Sequence, residues 1–114
     1  MTLRISNAID LHCHFGPDTT GRTLNSSQAH SVTALEAARE AAASGHAALV
    51  LKSHSFASPA LARNLEDLVP GLRVIGGICT DYPSGGLNVD AVESALALGA
   101  KIVWLPTVHS HQEF

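Results

Sequence analysis

Four short apolar runs alternate along the chain with segments of helical periodicity, and this alternation restricts the fold more than any other feature. The runs extend from Ile5 to Leu11, from Ala47 to Lys52, from Arg73 to Cys79 and from Lys101 to Leu105. A helix is predicted from Thr33 to Ser44, with Thr33 and Glu36 spaced as a capping box and Gly45 as its C-terminal cap. A second starts at Ser58-Pro59, with Ser58 as N-cap, carries Leu61, Leu65 and Leu68 at helical spacing and stops at Pro70-Gly71. Asn88 caps a third, with Asp90 and Glu93 near its positive end, and Gly99 closes it. The order is therefore β-α-β-α-β-α-β. Near-continuous apolar strands in that order predict an α/β fold with a parallel sheet and right-handed crossovers. Abundant alanine and scarce aromatics suit helices lying close on such a sheet.

The 114 residues, 46% hydrophobic and 15% charged, make one ordered domain spanning 1–114. Four such strands form either a small open sheet or the first half of a (β/α)8 TIM barrel, a fold that usually takes about 250 residues. A half barrel would expose an inner sheet face and two strand edges, which calls for a homo-oligomer or a partner chain over the exposed sheet. The net charge of −3 comes with no basic run, which argues against nucleic acid and anionic membrane partners and for a small-molecule substrate. Without a targeting signal or a membrane-length apolar stretch, a soluble cytoplasmic protein is expected. The two cysteines, Cys13 and Cys79, make no disulfide framework.

Chemistry concentrates at Asp10-Leu11-His12-Cys13-His14. Strand alternation puts Asp10, His12 and His14 on one face and Leu11 and Cys13 on the other. Two imidazoles at a strand's C-terminal end can seat a divalent metal that polarises a substrate or lowers the pKa of a bound water. Asp10 is placed to orient an imidazole from behind the ligands, and Cys13 reads as a structural thiol. Gly16-Pro17-Asp18 forms the turn beyond. Lys52 and His54 share a face at the end of the second strand: His54 is a third ligand or a substrate contact, and Lys52 meets a substrate carboxylate or phosphate or, carbamylated, bridges two metals. Imidazole ligands favour zinc, with manganese, iron and nickel as alternatives.

The remaining candidates are weaker. His109 and His111 form a second His-x-His pair and read as loop residues, while His30 and His46 at helix ends read as structural. Ser84-Gly85-Gly86 ahead of Asn88 could cradle an anion. Asp18 and Asp81 sit in loops after strands one and three, on the expected active-site side; each could be a ligand, but an exposed loop aspartate needs no function, so neither is counted in the core site.

Asp10-Leu11-His12-Cys13-His14, Leu51-Lys52-Ser53-His54, Gly85-Gly86-Leu87-Asn88 and Val103-Trp104-Leu105-Pro106-Thr107 together resemble the N-terminal half of the amidohydrolase-like metal-dependent hydrolases, in a poorly characterised branch. The resemblance spans almost the whole chain. It implies a (β/α)8 barrel with one or two divalent metals at its mouth and a metal-activated water attacking an amide, ester or related bond. It also implies further ligands on strands five, six and eight, beyond the strands present here, and a carbamylated lysine on strand four, which argues against a bridging Lys52. Two alternatives accompany it: a phosphoesterase of the polymerase-and-histidinol-phosphatase type, which also opens with a histidine pair after strand one, and a non-catalytic assembly module.

Overall fold

A computed structural model of the protein describes residues 6–18 and 32–110. The elements run β1 (Ile9–His14), α1 (Ala34–Ala43), β2 (Ala48–Lys52), α2 (Pro59–Leu68), β3 (Arg73–Ile75), β4 (Gly77–Cys79), a 3-10 turn (Tyr82–Ser84), α3 (Val89–Ala97) and β5 (Ile102–Trp104). All strand pairings are parallel: β1 with β2, β2 with β3, and β4 with β5. The fold is thus α/β with parallel strands in open sheets. None of the described helices is long and apolar enough to cross a membrane.

The predicted third strand is broken at Gly76 into β3 and β4. A side chain there has no room, because a Cβ on Gly76 would fall 2.3 Å from Pro59 Cα in the first turn of α2. The chain bends past this contact and passes from one sheet to the next. Ser58 spans the break. Instead of capping α2 it donates from Oγ to the Leu51 carbonyl at 2.8 Å and accepts from Gly77 N–H at 3.0 Å. The hydroxyl is spent on joining β2 to β4, so the expected side-chain cap is absent.

The other two caps form as their residue types dictate. Thr33 Oγ1 accepts from Glu36 N–H at 3.1 Å and donates to the Glu36 carboxylate, and Asn88 Oδ1 accepts from Ala91 N–H at 3.3 Å. Gly45 and Gly99 follow α1 and α3 at φ 86° and 108°, conformations a side chain would strain.

The pleat divides β2 between two environments. Leu49 and Leu51 pack with Phe15, with Ala38 of α1, with Ala62 and Leu65 of α2, and with Val74 of β3. Ile78 of β4 packs with Ala95 of α3 and with Ala100. These contacts put all three helices on one face. Val50 and Lys52 alternate with the leucines and belong to the opposite face, which no described helix covers.

In β1, two residues, Leu11 and His12, stand opposite the single Val50, since Asp10 pairs with Leu49 and Cys13 with Leu51. This bulge shifts the alternation by one. The strand also starts later than the apolar run suggested, because Asn7 occupies a turn at φ 61°, so both histidines lie on the strand itself.

Candidate metal centre

The C-terminal ends of the strands bring His12 and His14 from β1, Lys52 from β2, His54 just beyond it, Cys79 from β4 and Trp104 from β5 to the helix-free face. The bulge aims both histidine rings at one point, with His12 Nε2 and His14 Nε2 2.9 Å apart. Two nitrogens bound to one ion at about 2.0–2.1 Å would lie roughly 2.9 Å apart at a right angle and roughly 3.3 Å apart in a tetrahedron. The pair therefore fits two adjacent positions on one divalent ion. At this separation only one of the two nitrogens can carry a proton. Burial first, then the positive charge of Lys52, lowers the pKa of His12 below its ordinary 6.5 and favours the neutral, ligating form.

The ring of His54 stacks on that of His14, with centroids 5.1 Å apart and planes inclined by 24°. Its Nδ1 is 2.7 Å from Asp81 Oδ2. Asp81 is fully buried and gathers further donors: Thr107 Oγ1 at 3.0 Å, Cys79 Sγ at 3.1 Å, and the N–H groups of Thr107 and His109 at 2.9 and 3.0 Å. Burial raises the pKa of this carboxyl, but the hydrogen bonds, led by His54, outweigh it and hold Asp81 below its ordinary value. An ionised Asp81 can only accept, so Nδ1 of His54 carries the hydrogen, which leaves Nε2 as the nitrogen available to a ligand.

The partner expected from Asp10 is therefore supplied by Asp81. Because of the bulge, Asp10 lines a cleft with Cys13 along α1, and its carboxylate accepts from the backbone N–H of His12 at 3.0 Å rather than from an imidazole. The expected common face of Asp10 with His12 and His14 is overturned by that single extra residue. Cys13 is half-buried, donates weakly to the His14 carbonyl, and has its pKa pushed up to about 11, first by burial.

Asp18 and Asp81 also depart from the exposed-loop expectation, as both are buried. Asp18 accepts from the hydroxyls of Ser53 and Ser55 and from His54 N–H, and so fixes the backbone that presents His54. Both aspartates lie just past strand ends, in line with the histidines. That position was the available sequence signal, though distinguishing a buried carboxylate from a solvated one required its partners.

His54 Nδ1, Cys79 Sγ and an Asp81 oxygen all lie within 4.8 Å of one another, so this group could itself hold a metal ion. Burial and the hydrogen bond to Asp81 raise the Cys79 pKa, so a metal there would first have to displace the thiol proton.

Lys52 is 4% exposed, with its Nζ 5.2 Å from the centroid of the Trp104 ring. Trp104 lies over Gly77, where a Cβ would come within 2.6 Å of the indole. His109 is buried on a loop, stacked on Tyr82 with centroids 4.5 Å apart, while its N–H serves Asp81. His30 and His111 lie outside the described residues. The glycine loop does not offer the expected anion cradle, because Gly85 and Gly86 donate their N–H groups to the carbonyls of Tyr82 and Asp81.

No curated protein and no solved structure matches the chain. A family model does match, over residues 7–114, and the chain belongs to that family, DUF6282, a family of unknown function.

Proposed function

We propose that the chain carries one half of the catalytic mouth of a metal-dependent, amidohydrolase-like hydrolase, with His12, His14 and His54 as ligands of one divalent ion. The carrying observation is the convergence of His12 Nε2 and His14 Nε2 to 2.9 Å beside His54, whose orientation Asp81 fixes. Zinc suits three imidazoles best, with manganese, iron and nickel as the alternatives. Such an ion, when bound, supplies a Lewis acid and lowers the pKa of a coordinated water for attack on an amide, ester or related bond. The chain's own part is to favour the neutral form of His12, to fix the orientation of His54 through Asp81 and to keep Lys52 beside the reacting group.

The sequential order of the strands and the placement of all three helices on one face support the first half of a (β/α)8 barrel as the finer architecture. A doubly wound sheet would instead put helices on both faces.

The test is the metal content of tag-free protein by plasma mass spectrometry, beside a His12→Ala/His14→Ala variant. Near-stoichiometric metal in the parent and its loss in the variant is the expected outcome. Equal, negligible metal in both would end the proposal. Lys52 also favours a second reading, a phosphoesterase, and turnover of phosphate monoesters against amides and lactones separates the two.

A further inference from the structure

Lys52 has the burial of a core residue and the chemistry of a surface one. Its ammonium group lies over Trp104, and among the described residues no carboxylate pairs with it. The two buried carboxylates nearby are already engaged: Asp18 with Ser53, Ser55 and His54 N–H, and Asp81 with five donors including His54 and Thr107. A buried lysine charge is costly unless an anion meets it, and an indole face compensates only in part.

The position of this ammonium group is specific. Lys52 is the register partner of His14 on the neighbouring strand, and the His12 ring centroid is 6.0 Å from that of Trp104, over which Lys52 also lies. The ammonium group and the converging imidazoles thus share one indole as a wall. A ligand reaching the histidines presents its next few atoms to Lys52.

We infer that Lys52 and Trp104 form an oxyanion subsite beside the histidine pair, one that receives a carboxylate or phosphate group of the substrate. The anion site stands on the geometry of Lys52 alone. Only its assignment to a substrate rests on the hydrolase proposal.

The experiment titrates inorganic phosphate, and separately acetate, into chelator-treated and zinc-loaded full chain, following the emission of Trp104, the single tryptophan. A saturable change is expected without metal, at least tenfold weaker in Lys52→Met and largely retained in Lys52→Arg. The preferred anion identifies the oxyanion class. In the parent protein the Lys52 Cε resonance should move along the same titration, which keeps the test valid if Lys52→Met does not fold. Titrations that leave the Lys52 resonance unmoved overturn the subsite, as does a carbamate signal on Lys52 in 13C-bicarbonate. Anion binding by a protein that takes up no metal would retain the subsite and sink the hydrolase proposal.

Discussion

His54 and Asp81, separated by 27 positions in the chain, meet through Nδ1 and Oδ2 at 2.7 Å, and this contact orients the imidazole stacked on His14. Histidines that bind metals commonly give their second nitrogen to a carboxylate, which sets the tautomer and raises ligand basicity. Here the carboxylate is clamped by two backbone N–H groups, a hydroxyl and a thiol as well, so it has little freedom to turn away.

Asp81→Asn should therefore cost about 3 kcal/mol in urea unfolding, since an amide nitrogen would face donors where an oxygen accepted. It should also weaken metal uptake by about 10–100-fold, the range found when such partners are removed. A variant as stable as the parent and binding metal equally well would show that Asp81 does not position His54.

The acid limb of stability should carry the signature of Asp81. Its folded pKa lies below the ordinary 3.8, so the folded state binds fewer protons than the unfolded one between those two values. The resulting stabilisation is complete above about pH 5 and drains away as the pH falls through 3.8 toward the folded value. Urea midpoints from pH 6 to pH 2 should show a drop that shrinks in Asp81→Asn.

His12 should titrate below 6.5 in chelator-treated protein, read from its ring-proton resonances. Lys52→Met should move the midpoint upward, because the charge of Lys52 lowers it after burial does. A midpoint that stays in place would mean that Lys52 is electrostatically remote from the histidine pair.

Two adjacent glycines should respond differently to alanine. At Gly77 the new methyl would press on Trp104 and on the Ile102 carbonyl, for a cost of about 1–3 kcal/mol and a shift in tryptophan emission. At Gly76 the nearest atoms are Pro59 Cα and N and the Ser58 carbonyl carbon, all backbone, so the loss should be larger. Equal urea midpoints for the two variants would contradict this ranking.

Ile9 and Leu11 on β1, and Val103 and Leu105 at and just past β5, are exposed. Apolar side chains at both sheet edges favour association. Sedimentation velocity should show concentration-dependent self-association that Leu11→Lys with Leu105→Lys reduces, whereas a monomer at all concentrations would refute it.

The legibility of the sequence follows the range of the forces involved. Helices, caps and terminating glycines depend on groups a few positions apart, so Thr33 with Glu36, Asn88 with Ala91, and Gly45 could be placed by inspection. The apolar runs likewise announced parallel strands, and His12, His14, Lys52 and His54 stood at strand ends where a site of this type would form. What failed was whatever depended on a register or on a distant partner. Alternation assumed an unbroken strand, and one bulge carried Asp10 to the side of α1. Ser58 had the composition of a cap, but its hydroxyl went to Leu51 and Gly77.

The sequence by itself determined the order and type of the elements and marked the histidine pair, because periodicity, capping and turn chemistry are local. Tertiary structure alone decided that Asp81 rather than Asp10 backs an imidazole, that Asp18 is buried beneath His54, and that Lys52 lies over Trp104. The hydrogen bonds that tie the Asp81 side chain to His54, Thr107 and His109, and the Asp18 side chain to Ser53, His54 and Ser55, join residues 26 to 37 positions apart, and only a folded sheet brings such groups within reach.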